Sequence, residues 1–351
     1  MESKRLYKYD MLRTVCIFSI IILHLGSQYT YDSYQAFVKV TDYKIGFWCE
    51  MMTRAAVPCF VMLSGAFLII PQNQDMGMFY RKMLKRLVLP GVVFSIIYVL
   101  YAYFQILIVK LLNLSVSDEM MNLWKPIIKL IQGRPHAIMW YMYMIIGIYI
   151  ITPIIVYIKK SINKRQFIIL SFIMLAYGVI IHYFCEIIWL LWFIEWIGYF
   201  MLGSVIYEIN LKRINKLSGI FQIIISTLLL IANCFLEEKF SKSFFEFREA
   251  FNPIIIVAAV LLFSGFSCLD YKKESTLISE IGKNTMWIYL IHILCIDPIY
   301  QISVRAFRFI PSSYIILPYG IIVLFICLKI SKAIKMIKWK SIWMHNGGKK
   351  T

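Results

Sequence analysis

Of the 351 residues, 60% are hydrophobic, 16% aromatic and only 16% charged, and 37 lysines and arginines stand against 19 acidic residues. This is the balance of a polytopic membrane protein with no need of a soluble domain, and the +18 formal charge finds its partner in anionic membrane lipids rather than nucleic acid. There is no Walker-type glycine loop, GxGxxG, HExxH or GxSxG, and the eight cysteines include no CxxC pair, which sets aside ATP-driven transport, the common soluble hydrolases, a bound metal and a disulfide framework.

Apolar runs long enough to cross roughly 30 Å of hydrocarbon recur along the chain and predict about ten transmembrane helices. The first, near 11–29, holds a single arginine and a single histidine, Arg13 and His24. Eleven residues at 100° each make about three turns, so the two share one helix face roughly 16 Å apart along the axis. Ionisable groups are costly in hydrocarbon, which makes the pair a functional candidate; the plain alternative is a snorkelling arginine and a histidine hydrogen-bonded between helices. No small-x-small cleavage site follows, so the run reads as a retained helix rather than a secretory signal.

The second run, near 46–70, holds Arg54, expected about 12 Å below the outer face and nearly level with His24. Arg81, Lys82, Lys85 and Arg86 precede the third run, near 87–112, on the expected inner side; such a cluster suits phosphate oxygens or simply follows the positive-inside rule. The stretch from Asn113 to Pro135 is too short for a separate catalytic fold and reads as a lid or a short surface helix. His136 opens the fourth run, near 137–158, and shares a face with Trp140. With Tyr141, Tyr143, Trp189, Trp192 and Trp196 it predicts either an interfacial aromatic belt or a sugar groove.

Runs near 166–183 and 187–206 follow, the latter bringing Glu195 about 12 Å below the outer face. Glu195 and Arg54 would serve as a packing ion pair or, with His24, as a polar chamber in the outer half of the bundle. After runs near 218–236 and 252–268, the ninth, near 284–301, carries Tyr289 and His292. That histidine is expected about 12 Å from the inner side, as a helix-packing group or a site group. The tenth run lies near 313–330, and residues 331–351 form a basic cytoplasmic tail.

With the N-terminus inside, 25 of the 37 basic residues fall on the cytoplasmic side, so both termini are expected there. The expected fold is an all-α polytopic membrane helical bundle, one integral-membrane domain over residues 1–351. No internal repeat is visible, which weighs against the inverted-repeat transporters. The Ile/Lys-rich usage points to a bacterium, and hence to its cytoplasmic membrane.

Several segments together resemble a known family. Arg13 and His24 fit an Arg-x10-His pattern, and Arg54-Ala55-Ala56-Val57-Pro58 through Ser64-Gly65 is similar to an arginine-to-Ser-Gly stretch. Arg81 to Pro90 is a basic loop leading into a proline-started helix, and His136 to Pro153 resembles a His-to-Tyr-x-x-x-Pro segment. Ile197-Gly198-Tyr199 through Gly203 and Ile288-Tyr289-Leu290-Ile291-His292 complete the order. These are similar to the membrane acyltransferases called acyltransferase family 3.

The resemblance implies transfer of an acyl group, usually acetyl from cytoplasmic acetyl-CoA, to a hydroxyl of a cell-surface glycan, glycolipid or similar acceptor. Carried over by position, His24 would be the essential base and Arg13 would engage the donor. On that reading Arg81 and Arg86 assist with CoA phosphates, Arg54 stabilises the thioester oxyanion and Glu195 orients the histidine or the arginine. His136, Trp140, Tyr141, Tyr289 and His292 are the candidate acceptor-binding residues. Base catalysis and transient acylation of His24 both fit. Rival readings are a transporter or exporter of a small solute or lipid-linked sugar, and a receptor-like module related to the serine-handling membrane parts of some resistance racemases.

Overall fold

A computed structural model describes residues 7–31, 40–70, 75–111, 122–210, 215–240, 246–269, 274–306 and 312–336, and every regular element among them is helical. The order is α1 (Tyr7–Tyr31), α2 (Val40–Met52), α3 (Ala56–Leu68), α4 (Met76–Met83), α5 (Leu89–Leu111), α6 (Lys125–Ile131) and α7 (Trp140–Ser161). Then come α8 (Lys164–Phe184), α9 (Phe193–Asn210), α10 (Lys216–Phe240), α11 (Pro253–Cys268), α12 (Thr276–Ala306) and α13 (Ile316–Met336). Much of the predicted basic tail, along with Lys4, Arg5, Lys212, Arg213, Lys272 and Lys273, lies outside the described residues.

Eight stretches among the described residues are long and apolar enough to cross a membrane, α2 with α3 and α4 with α5 each counting as one. The other two predicted spans are helical as well, but differ in kind. α11 has only 16 residues. α12 is 31 residues long and is diluted by Asn284, His292 and Asp297. The chain is a multi-pass, all-α membrane protein.

Its surface is the inverse of a water-soluble one. Val92, Ile96, Leu100 and Phe104 recur every fourth residue of α5 and are each more than half exposed, while Asp10, Glu50, Asn233 and His292 are buried. Water penalises such an apolar stripe, whereas hydrocarbon favours it and drives polar groups inward to find partners.

Local chemistry sets the helix boundaries. Asn163 caps α8 in a reciprocal box with Gln166 (2.9 and 3.0 Å), and Asn252 caps α11 ahead of Pro253. The second predicted span is broken: Pro58 has no N–H for the Arg54 carbonyl and its ring crowds that oxygen. The Thr53 hydroxyl bonds back to the carbonyls of Cys49 (2.8 Å) and Glu50 (2.9 Å). Arg54 therefore stands in a turn between α2 and α3.

The residues group into two compact units, Met1–Phe60 with Tyr207–Thr351, and Val61–Ile206. In the second, α7 packs on α4, and Lys159 Nζ donates to the Ile69 carbonyl (3.0 Å) and the Ser204 hydroxyl (2.6 Å), holding the end of α3 to α9. In the first, α1 is the central element, packed on α2, α11, α12 and α13, and α10 packs on α11.

α1 meets α2 where Gly26 faces Gly46. A Cβ on Gly26 would stand 2.6 Å from the Gly46 carbonyl oxygen, and one on Gly46 2.7 Å from that of Gly26. Only a residue without a side chain allows backbones this close, the usual device of membrane helix pairs. Gly26→Ala should lower the thermal midpoint of the detergent-purified protein by the equivalent of about 1–3 kcal/mol. Ser27→Ala, whose hydroxyl bonds within its own helix, should not. An unchanged midpoint for Gly26→Ala would contradict this packing.

Candidate active site

α1 and α12 lie side by side and run in the same direction. The His24 and His292 rings are 5.2 Å apart at 42°, and about one turn further along both helices Gln28 Nε2 donates to Asp297 Oδ1 (3.4 Å). Nearer the helix starts, the Thr14 hydroxyl reaches the Ile278 carbonyl (3.3 Å) and Asp10 lies against Gly282. The two predicted histidines thus share one site, although counting from residue 284 put them at different depths. The reason is the length of α12: it begins at Thr276, so His292 is about 24 Å along its helix and His24 about 26 Å along α1.

His292 is fully buried. Its Nδ1 is bonded to the Tyr289 carbonyl, which can only accept, so Nδ1 carries a hydrogen. The Tyr289 ring packs 5.5 Å from the same imidazole. His24, by contrast, is only partly buried.

Arg13, three turns back on α1, gives Nη1 to Asp10 Oδ1 at 2.8 Å. The arginine is 21% exposed and the aspartate 1%. Beside it, buried Lys8 donates to the Ser267 carbonyl and closes the end of α11.

Arg54 gives Nη2 to Glu50 one turn earlier, and its buried Nε has no hydrogen-bond partner among the described residues. Glu50 is fully buried and is also bonded by the Thr30 hydroxyl (2.8 Å) and approached by Arg248 Nη1 (3.7 Å). Arg248 Nε in turn binds Glu237 Oε1 at 2.9 Å. Two cations against two carboxylates make a neutral network, the form in which buried charge is tolerable. It ties the Arg54 guanidinium to the Thr30 turn, six residues or about 9 Å beyond His24 along α1.

The remaining predicted residues belong to the second unit. Glu195 takes His182 Nδ1 at 3.1 Å across α8 and α9, so Arg54 and Glu195 each have a partner within their own unit. Trp140 packs on Tyr141 (6.2 Å) and Trp196 (5.6 Å), and Trp196 on Tyr199 (5.7 Å). Arg81 and Arg86 are exposed. Among the described residues no three His, Cys, Asp or Glu side chains are placed to hold a metal ion.

Sequence reasoning missed Asp10, Glu50, Arg248, Asp297 and His182 as partners. For Asp10 and Glu50 the signal was present, since they precede Arg13 and Arg54 by three and four residues within runs that read as helical. Arg248 lies between helices and joins through folding alone, with no spacing rule to reveal it.

His136 is the N-cap of the turn entering α7, its Nδ1 accepting from the Ile138 N–H at 3.5 Å, and its ring stacks on Tyr98 at 4.7 Å. Burial first, and then the Lys129 charge, push its pKa down to about 4. The folded protein therefore holds it neutral while the unfolded chain takes a proton below about 6.5. Its contribution to stability is complete above that pH and is lost as pH falls toward 4. His136→Asn keeps a capping acceptor that does not titrate. Between about pH 7.5 and pH 5 it should lose less thermal stability than wild type. Parallel losses in the two proteins would show that His136 does not titrate in this way.

An acyltransferase 3 family model, described as an acyltransferase domain, matches residues 6–332. No curated protein and no solved structure matches the chain significantly. The match begins before α1, takes in both histidines, Arg13 and all the charged partners described above, and ends in α13. By that near-complete match the chain, a multi-pass helical protein, belongs to the acyltransferase 3 family and is a membrane acyltransferase.

Proposed function

We propose that the protein transfers an acetyl group from cytoplasmic acetyl-CoA to a hydroxyl of a cell-surface glycan, glycolipid or lipid-linked sugar, in the cytoplasmic membrane of a bacterium. One observation carries this reading. A base beside a second imidazole stands on the same helix face as an arginine three turns toward the basic side, with partners from α12 along the way. The interval of roughly 16 Å is one an extended pantetheine arm can bridge.

In this reading the donor enters from the cytoplasm. Arg13 holds its phosphates, and the thioester reaches the His24 layer. Neutral His24 takes the acceptor hydroxyl proton as the oxygen attacks the thioester carbonyl carbon. The C–S bond breaks, and the leaving CoA thiolate takes the proton from the imidazolium. The His292 ring, held at Nδ1 by the Tyr289 carbonyl, packs against His24 and limits the orientations open to it.

Arg54 and the Glu50 network border the outer side of the site, and Arg54 retains an N–H donor for an acceptor or oxyanion oxygen. Tyr289 lies beside the histidines. Within the second unit, Trp140 and Tyr141 offer an aromatic surface suited to a sugar acceptor.

The direct test is purified protein titrated with acetyl-CoA by calorimetry, with slow thioester hydrolysis followed as released thiol. His24→Ala should retain binding and lose about a hundredfold or more in hydrolysis. Arg13→Ala should weaken binding about tenfold or more. Well-folded wild type that binds neither acetyl-CoA nor a longer acyl-CoA would overturn the donor assignment, and solute flux in liposomes without CoA would put translocation in its place.

A further inference from the structure

Asp10 is buried to 1% exposure close to the start of α1, and the transfer mechanism above gives it no task. A buried carboxylate survives only where partners replace its lost hydration. Asp10 meets this condition in a specific way. Its Oδ1 accepts Arg13 Nη1 at 2.8 Å, and its side chain fills a notch in α12 that exists because residue 282 is glycine. A Cβ at Gly282 would stand 2.8 Å from Asp10 Oδ1 and 2.9 Å from its Cβ and Cγ.

A guanidinium is a planar fork of five N–H donors, so holding one of them sets the direction of the others. Arg13 is the partly exposed member of the pair, at 21%. We infer that Asp10, seated in the Gly282 notch, is a positioning residue that fixes the plane of the Arg13 guanidinium for the phosphate oxygens of the acyl donor. This rests on the donor role proposed for Arg13. It makes α12 part of the donor site as well as of the reacting site, since Gly282 lies ten residues before His292 on that helix.

Two other roles would leave different traces. An aspartate in the first turn of a helix also favours the helix dipole, which affects stability and not donor affinity. A carboxylate that merely offset the Arg13 charge would oppose phosphate binding, so that its removal would tighten it.

The experiment is calorimetric titration of the full-length, detergent-purified protein with acetyl-CoA, together with the hydrolysis rate at saturating acetyl-CoA. Asp10→Asn and Gly282→Ala, on different helices, should each raise Kd about tenfold, with the effect falling on Kd rather than on the saturated rate. Asp10→Glu should recover part of the loss. Adding Asp10→Asn to Arg13→Ala should weaken binding no further, because a group that acts through another has no effect once that other is gone. Should Gly282→Ala fail to fold, the Asn and Glu variants of Asp10 and the double variant decide the matter alone.

Tighter binding by Asp10→Asn, an unchanged Kd with a lowered thermal midpoint, or an additive loss in the double variant would each overturn the inference while leaving the donor reading intact. Equal Kd values for wild type and Arg13→Ala would overturn the donor reading itself, and the inference with it.

Discussion

Parallel contact between α1 and α12 is the constraint on which the site depends. A histidine in the interior of a membrane bundle needs a polar neighbour, and each of these two helices supplies that neighbour to the other at His24 and His292. Gln28 and Asp297 repeat the arrangement further along, and Asp10 against Gly282 anchors the other end. A slip of either helix by one turn, about 5.4 Å, would separate all of these pairs together. The register of one helix pair thus brings His292 beside His24 and Gly282 beside Asp10, the partner of Arg13.

Charge elsewhere in the same unit is handled by short-range pairing. Asp10 precedes Arg13 by three residues and Glu50 precedes Arg54 by four, so each arginine has a carboxylate within one turn of its own chain. Arg248 and Glu237 extend the second pair into a network closed by Thr30. Such networks exchange the hydration lost on burial for fixed hydrogen bonds, and they leave the arginines oriented rather than mobile. Orientation matters wherever an arginine meets a phosphate or an oxyanion, because such recognition depends on where N–H donors point as much as on charge.

The helices were legible because hydrocarbon selects long apolar runs, and all ten predicted segments are helical. Their ends were less so. The 46–70 run hides a break at Thr53 to Ala55, produced by Pro58 and by the Thr53 hydroxyl, and α12 starts eight residues before its apolar stretch because polar Glu280, Lys283 and Asn284 continue the helix. That extension explains why His292 was placed too near the inner side. Arg13 and His24 sharing a face follows from helical periodicity alone. The partner of His24 did not, because it depends on which two helices pack and in what register. Glu195 shows the same limit: depth put it level with Arg54, whereas its carboxylate is taken by His182, thirteen residues before it on α8.

A cryo-electron-microscopy structure of the protein bound to a non-hydrolysable acetyl-CoA analogue, with the thioester sulfur replaced by a methylene, tests the account most directly. The account predicts the nucleotide phosphates against Arg13, the pantetheine arm along the α1–α12 contact, and the acyl carbonyl within reach of the His24 imidazole. A bound analogue whose acyl end lies away from both histidines would contradict it.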